Sequence, residues 1–412
     1  MNAVKGYVTI IVPCFNGGKY VYRFLDSLLI QSYKKIQLIF VNDGSTDETE
    51  TVFNEYMGQI IKCNKEFKYK YIKQSNKGQA AAINAALPFV EGEYLMWMDS
   101  DDYISPEHVE VKVDFLKKNQ EYQMVMCRGR VVDENDIGEV KRYLEYKNIS
   151  GSLFNDILLE YCGCANALFL VRSFDFFEIF KDGKIYESRI GQNLQMLLPL
   201  TYKLKVGHIN NCLFSYVERS DSHSHNYNTL QEIDRRIVGV FELKYIIIGK
   251  LFEQSMQKVQ KLNTILGKRK LQQRIDSLCL FDIKENDRLL AEKIIDGIIQ
   301  RINMKKSRFL IWGYTEKNIK LREYLLQFGK VTICGFIDSD LQKQNIDCVI
   351  SPKEINSDDF IIISVKVYSE IINELCKKDL KLDRDYIYID YEVKKEIKNY
   401  DKSWDSDISI CR

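Results

Sequence analysis

Two carboxylates separated by one residue, Asp99 and Asp101, directly follow the apolar run 94–98. An apolar run of this length is typical of a buried strand, so the acidic pair begins where the strand is expected to end. Carboxylate oxygens, completed by the phosphates of a substrate, are the usual ligands of Mg²⁺ and Mn²⁺ in proteins. We therefore expect one of these cations at this strand end, acting as a Lewis acid on a diphosphate leaving group.

Polar side chains also follow three other strand-like runs, at residues 13–16, 42–45 and 76–78. Ligands of open parallel sheets bind in the crevice beyond the carboxyl ends of the strands, which is where these residues would lie. One such strand end would carry little weight, because Asp and Asn are common turn formers. Four in succession predict that the strand ends form one binding crevice.

The elements that would position these residues alternate between strand and helix. Strands are predicted over 7–12, 36–41, 69–72 and 94–98, with helices over 21–31 and 79–87. Ser45 and Glu48 have capping-box spacing, which predicts that a further helix starts there. Strands joined by helices favour right-handed crossovers and a mostly parallel sheet, so the predicted fold class is α/β.

The remainder of the chain differs in pattern from this N-terminal part. Residues 128–216 are irregular and suit an acceptor-side or lid region, whereas 231–303 are strongly helical. We predict three domains, at 1–228, 229–305 (a helical connector) and 306–412. The last would be a small Rossmann-like α/β unit. Its single Gly313 stands where dinucleotide binding needs three glycines, so we expect oligomerisation, acceptor docking or regulation rather than cofactor binding.

The composition excludes several classes of protein. Among 412 residues, 59 Lys and Arg balance 58 Asp and Glu, which gives no support for a nucleic-acid partner. The 45% share of hydrophobic residues is enough for ordinary buried cores and excludes wholesale disorder. The 11 cysteines are scattered without a CxxC pair, which favours free thiols in a reducing cytoplasm over a disulfide framework.

Location is indicated by the absence of two patterns. The chain begins without the basic and then apolar pattern of a secretory leader, and charges interrupt every long apolar stretch. The helical stretch 241–276 carries 8 Lys or Arg residues against 3 Asp or Glu residues, which suits a solvated connector or, as the alternative, a membrane-surface helix. We expect a cytoplasmic protein, with peripheral contact at the inner membrane face as the alternative.

Residues 7–103 resemble family 2 glycosyltransferases of the GT-A fold. The matching segments are VTIIVPCFN, IFVNDGSTDET, NKGQAAAIN and EGEYLMWMDSDD, and the last holds Asp99-Ser100-Asp101 where the family has its DXD motif. A looser match through NALFLVR and YVERSDSHSH extends to about residue 225. The resemblance implies an inverting transferase that moves a sugar, GlcNAc or another hexose, from a UDP-sugar to an acceptor hydroxyl. Cell-surface glycans, teichoic acids and surface proteins such as flagellin are the acceptors that it suggests.

The resemblance also implies which residues bind the donor and the cation. The donor-binding set is Pro13, Phe15, Asn16, Asp43, Asn76, Lys77, Asp99 and Arg219. In it, Pro13 and Phe15 would line the uracil pocket, and Asp43 would hydrogen-bond the base. The metal-binding set is Asp99, Asp101, His223 and His225. For the two histidines a polar surface turn is the alternative, since imidazole suits Mn²⁺ less well than carboxylate does.

The sequence departs from the family pattern at two places. Ile83 stands where the family often has an arginine, so a diphosphate contact is missing or is supplied elsewhere, by Lys77 or Arg219. Gln192 and Asn193 stand where the family commonly has a Glu-Asp pair that includes the general base. Amides cannot accept a proton at neutral pH, so this pair cannot act as the base.

Three explanations of the missing base remain open. A nearby acid, Glu187 or Asp182, takes its place; the acceptor is acidic enough, as a phosphate is, to need none; or the alignment of this segment is shifted. Asp102 is a further candidate catalytic residue. The missing acidic pair also motivates an alternative function, a sugar-nucleotide-binding module without catalysis.

Overall fold

In the computed structural model, the described residues are 3–148, 151–162, 165–191, 193–219, 228–281, 283–365 and 369–388. Contacts divide the chain into two compact units. The first comprises Met1–Asn226 with Gly249–Leu251, and the second comprises Tyr227–Ile248 with Phe252–Arg412. The predicted division at 228/229 and 305/306 stays a prediction.

Within the described residues of the first unit, nine strands form one mixed sheet. They are β1 Val4–Cys14, β2 Ile36–Asn42, β3 Lys68–Lys73, β4 Gly92–Trp97, β5 Tyr103–Ile104, β6 Met124–Asp133, β7 Val140–Leu144, β8 Phe169–Arg172 and β9 Val206–Glu218. The order is β3-β2-β1-β4-β8-β6-β9-β5, with β7 paired to β6. Strands β1 to β4 pair in parallel, and β8 is antiparallel to both β4 and β6. The parallel half confirms the predicted α/β class and carries all four polar strand ends.

Helices of the first unit connect these strands. They are α1 Val21–Leu29, α2 Thr49–Cys63, α3 Gln79–Ala86, α4 His108–Lys118, α5 Leu153–Leu158, α6 Ser173–Ile179 and α7 Leu194–Lys203. The predicted capping box at Ser45 is wrong, because α2 begins at Thr49 without a side-chain cap of that kind. The Asp47 side chain accepts the Thr49 N–H at 3.1 Å, while Ser45 Oγ accepts the Asn16 N–H at 2.9 Å. Ser45 therefore joins two strand ends instead of starting a helix.

The second unit contains a smaller parallel sheet with helices. Its strands are β10 Arg308–Trp312, β11 Gly335–Ile337, β12 Val349–Ile350, β13 Asp359–Ile363 and β14 Tyr386–Tyr388, in the order β12-β11-β10-β13-β14. Its helices are α9 Met256–Leu280, α10 Arg288–Ile299, α11 Glu316–Gln327 and α12 Ser369–Lys377, and it holds α8 Leu230–Leu251 except for the last three residues, Gly249–Leu251. Apolar residues of α9, α10 and α11 pack with β10 and β13 in one core, which includes Ile275, Ile294 and Ile362. The strand–helix alternation predicted after residue 308 is present.

The turn after β10 has features of a Rossmann-like unit but is tightly filled. Gly313 has φ +98°, and a Cβ at this position would lie 2.6 Å from Cγ1 of Val365. Asp338 follows β11 and accepts the Tyr314 N–H at 3.0 Å through Oδ2. The expectation that this unit holds no dinucleotide stays a prediction.

Among the residues that the structure describes, no helix combines the length and the apolar character needed to cross a membrane.

Candidate functional site

The carboxyl ends of β1, β2 and β4 lie side by side because the three strands are neighbours in the sheet. In the parallel register Cys14 pairs with Asn42, and Ile11 pairs with Trp97. Hydrogen bonds then join the turns that follow: Asn16 Oδ1 accepts the Thr46 N–H at 2.9 Å, and Gln79 Nε2 donates to Asp99 Oδ1. The strand ends thus meet at one edge of the sheet.

Asp43 fastens the loop before α3 to the end of β2. Its side chain is buried, and its two oxygens accept hydrogen bonds from Gln74 Nε2 at 2.7 Å, Lys77 N at 2.9 Å and Gly78 N at 2.8 Å. The neighbouring Gly44 has φ +81°, and a Cβ there would lie 2.7 Å from the backbone nitrogen of Asn76. The contact of Asp43 with a base stays a prediction, while its bonds to the loop set where 74–78 lies.

The remaining predicted donor-binding residues near β1 and α3 differ in exposure. Pro13 is buried because β1 continues through Cys14, one residue beyond it. Phe15 is 48% exposed, and Asn16, Asn76 and Lys77 are exposed as well. An exposed aromatic ring followed by an exposed amide, as in Phe15-Asn16, has the chemical character of a surface that stacks on a base and binds its polar edge. Their roles in donor binding stay predictions.

Three carboxylates crowd the turn after β4, and each has a different partner. Asp99 Oδ1 accepts hydrogen bonds from Gln79 and, at 3.1 Å, from Asn166 Nδ2. Asp101 forms an ion pair with Arg219 at 3.3 Å. Asp102 is buried and its Oδ1 accepts the N–H of Val217 at 2.9 Å, which ties the turn to β9.

Arg219 provides positive charge beside this turn. Its guanidinium carbon lies 4.1 Å from the centre of the Tyr20 ring, a cation–π distance. Burial first, and then the Asp101 charge, raise the pKa of Asp99 to about 6, although hydrogen bonds from Gln79 and Asn166 lower it. Burial and the same neighbouring carboxylates also raise the pKa of Asp102 well above its usual value. Both carboxyl groups therefore hold a proton more readily than a free aspartate does, even with Arg219 nearby.

The donor set at this turn fits a hard divalent cation in part. Asp99 and Asp101 offer carboxylate oxygens, and a bound cation would favour the charged form of Asp99, whose pKa burial and Asp101 raise. In the described part of the chain, no group of three or more His, Cys, Asp and Glu side chains could hold a metal ion. Two carboxylates still suffice when substrate phosphates and water supply the other ligands. His223 and His225 lie outside the described residues.

A loop at residues 183–191 lies against α3. Asn84 on α3 donates to the Ile185 carbonyl at 3.0 Å and to Glu187 Oε1 at 2.9 Å, and its own oxygen accepts the Ile185 N–H at 2.8 Å. Arg189 donates to the carbonyl of Asn76 at 3.2 Å. Arg189 is thus held at the loop before α3 that Asp43 positions, whereas Glu187 is held by Asn84 near the other end of that helix.

Asp182, the other acid considered for the base, lies in an exposed turn. Of the amide pair that replaces the usual acids, Asn193 is the residue before the first turn of α7. Gln192 lies outside the described residues.

Sequence analysis assigned no role to four residues that the structure brings into the site: Gln79, Asn84, Asn166 and Arg189. Gln79 and Asn84 lie inside the matched segment NKGQAAAIN, and Asn166 begins NALFLVR. Their position inside these matched segments was the only signal in the sequence that they belong to the site. The residues that they contact are 20 to 103 residues away in the chain.

The comparisons with known proteins agree with this fold. Residues 9–177 match the family model described as glycosyl transferase family 2. Glycosyltransferase GlyA of Streptococcus pneumoniae is 29% identical over 232 residues, which are 53% of this chain and 32% of that protein. An uncharacterized glycosyltransferase of Rickettsia prowazekii is 34% identical over 134 residues, which are 32% of this chain and 39% of that protein. The chain thus spans about a third of the length of these relatives.

A solved structure shows the same fold. Residues 1–349 of TarS from S. aureus, in complex with UDP-GlcNAc, align with a TM-score of 0.51 and 18% identity. The alignment covers 71% of this chain and 81% of that chain. Together with the polar strand ends of a parallel half-sheet, these matches show that residues 9–177 carry the family 2 glycosyltransferase pattern and that the first unit has the GT-A fold.

Proposed function

We propose that this protein is an inverting glycosyltransferase that moves a sugar from a UDP-sugar to an acceptor hydroxyl. The observation that carries the proposal is the joining of four polar strand ends into one edge that includes Asp43, Asp99 and Asp101. The family match over residues 9–177 supports glycosyl transfer, and the UDP-GlcNAc bound to TarS makes that donor the first to test. Other UDP-hexoses are the next candidates.

The donor would lie across the edge that these residues form. Phe15 is exposed and available to stack on uracil, with Pro13 and Asn16 beside it. Asp99 and Asp101 would hold Mn²⁺ or Mg²⁺, which supplies Lewis-acid stabilisation of the departing diphosphate when bound. Arg219 already faces Asp101 and adds positive charge at that end.

Arg189 is our candidate for the diphosphate contact that Ile83 does not provide. Its guanidinium lies at the Asn76 carbonyl, and its Cγ would be 3.3 Å from a Cβ at Gly78. An arginine fork matches phosphate oxygens better than a single ammonium group does. Lys77, the adjacent exposed cation, would assist it.

Glu187 is the general base that the geometry favours. In the reaction its carboxylate takes the proton of the acceptor hydroxyl while that oxygen attacks the anomeric carbon and the bond to the UDP oxygen breaks. The Asn84 amide holds Glu187 through Oε1. Asp102 suits the role less well, because it is 2% exposed and bound to the backbone of β9.

The acceptor and the surroundings belong to the proposal as well. A cell-surface glycan, a teichoic acid or a surface protein is the proposed acceptor class, reached from the cytoplasm. The second unit would then serve oligomerisation, acceptor docking or regulation. The basic stretch 241–276 would be a solvated connector or, as the alternative, a contact with the inner membrane face.

The experiment is a UDP-release assay on the full chain with a panel of UDP-sugars and Mn²⁺, Mg²⁺ or EDTA. We expect cation-dependent UDP release from one donor, faster with acceptor than without. Asp101→Asn should abolish release, and Arg142→Gln, an exposed arginine on β7, should leave it unchanged. Binding of UDP without release from any donor would favour the non-catalytic module, and failure to bind UDP would refute both.

A further inference from the structure

Asn166 connects the hydrophobic core to the first carboxylate of the acidic turn. It begins the short 3-10 turn Asn166–Leu168 before β8 and is 2% exposed. Its Oδ1 accepts the Trp97 Nε1–H at 2.8 Å, and its Nδ2 donates to Asp99 Oδ1 at 3.1 Å. Trp97 is the last residue of β4, buried to 1% exposure, two residues before Asp99.

The chemistry of Trp97 fixes which way the Asn166 amide faces. An indole N–H can only donate, so it requires the amide oxygen on its side. The amide NH₂ group is then directed to Asp99, which as a carboxylate can only accept. A flipped amide would oppose donor to donor at Trp97 and acceptor to acceptor at Asp99, so both ends oppose the flip.

The backbone of the 3-10 turn is held by a buried polar group on α4. Lys112 is fully buried and donates to the carbonyl of Ala167 at 2.6 Å. Its Nζ also lies 2.9 Å from His108 Nε2, and His108 Nδ1 lies 2.9 Å from the Leu213 carbonyl. Because a carbonyl can only accept, His108 carries its proton on Nδ1 and accepts from Lys112 through Nε2. These fully buried, satisfied bonds leave the turn one well-defined position.

Both amide contacts of Asp99 fall on the same oxygen. Gln79 from α3 and Asn166 from the 3-10 turn each donate to Oδ1. Two donors from separate elements fix the plane of the carboxyl group. Oδ2 can then bind the donor–cation complex while the Asp99 side chain stays in one rotamer, which lowers the entropy cost of binding.

We propose that Asn166 is a positioning residue, oriented by Trp97, that holds Oδ1 of Asp99 so that Oδ2 binds the donor–cation complex. This inference rests on the proposed function, since it concerns the same site. Trp97 acts only through Asn166, so its N–H should matter for binding only while Asn166 is present.

A double-mutant cycle on the full chain tests this coupling. The variants are Asn166→Ala, Trp97→Phe and the two combined, with UDP in the presence of Mn²⁺ as the probe and titration calorimetry as the measurement. Loss of a hydrogen bond to a charged group should raise the Kd of UDP about tenfold or more in Asn166→Ala. Trp97→Phe should raise it severalfold alone and have no further effect in the Asn166→Ala background.

A matched control separates orientation from packing. Phe176 packs on the Trp97 ring, with 6.5 Å between the centroids, and Phe176→Leu disturbs this core without removing the indole N–H. It should leave the Kd unchanged. An equal effect of Phe176→Leu and Trp97→Phe, or additive effects of Trp97→Phe and Asn166→Ala, would overturn the proposal.

Two further measurements keep the test decisive. Asn166→Ser tolerates the tight turn should Asn166→Ala fail to fold, and it must also weaken UDP binding at least severalfold. Failure of the wild-type protein to bind UDP in the presence of Mn²⁺ would refute the proposed function itself. If the wild-type protein binds UDP and the Asn166 variants bind it with the same Kd, only the positioning role is refuted.

Discussion

Replacing Asn84 should release the loop that carries Glu187 and Arg189. Asn84 is 8% exposed and bonds both backbone groups of Ile185, itself 3% exposed, as well as Glu187. In Asn84→Ala the Ile185 N–H and C=O lose these hydrogen-bond partners. Each buried polar group that is left without a partner costs about 1–3 kcal/mol. The Glu187 carboxylate is exposed and can hydrogen-bond to water instead, so the loss of its bond to Asn84 adds little to this cost. We expect the free energy of opening the loop to fall by about 3 kcal/mol.

Hydrogen exchange at the Ile185 amide measures this opening directly, whereas a melting temperature would mix the two units. A loss of about 3 kcal/mol accelerates exchange about 100-fold. Asn119→Ala is the matched control, because Asn119 ends α4 with a single side-chain bond to the Phe115 carbonyl and should not change Ile185. Unchanged exchange in Asn84→Ala, or equal acceleration in the control, would refute the reasoning.

Three further predictions concern the base, a glycine and the second unit. Glu187→Gln should lower kcat at least 100-fold with the donor Kd unchanged; full activity, with Asp182→Asn as the comparison, would remove Glu187 from the mechanism. Gly44→Ala should destabilise the first unit by about 1 kcal/mol or more by chemical denaturation, because φ is +81° and the Asn76 nitrogen blocks a Cβ; equal stability would contradict this. Burial would raise the pKa of Asp385, but hydrogen bonds from Arg384 and Lys306 outweigh it and lower the pKa to about 2. A lowered folded-state pKa gives stability that is present above pH 4 and lost as the pH falls toward 2, so wild type should lose stability there more steeply than Asp385→Asn, and parallel melting curves would contradict the claim.

The parallel half of the first sheet could be predicted because its signals are local. β-branched runs such as the one in β1 are followed by polar turns, and the helices between them carry apolar residues at helical spacing. The capping-box prediction at Ser45 failed because the Ser45 hydroxyl accepts the Asn16 N–H, 29 residues away, and short-range spacing cannot reveal such a partner. The extent of β1 was underestimated because Pro13 reads as a strand end. In the structure β1 pairs with β4 only as far as Ile11, so Pro13 lies beyond that pairing and can still belong to the strand.

The contacts that orient the candidate site could not be predicted from spacing. Asn84 meets Ile185 across 101 residues, and Trp97 meets Asn166 across 69. A buried asparagine at these positions reads as an ordinary turn or helix residue until the partner is known. The sequence motif located the acidic turn, whereas the direction of each carboxyl group depends on these distant amides.

The measurement that tests the central claim most directly is a crystal structure of the full chain with UDP and Mn²⁺. We predict uracil beside Phe15 and Asp43, and the diphosphate with its cation on Asp99 and Asp101. UDP bound away from the carboxyl ends of β1, β2 and β4, or a diphosphate without contact to either aspartate, would contradict it.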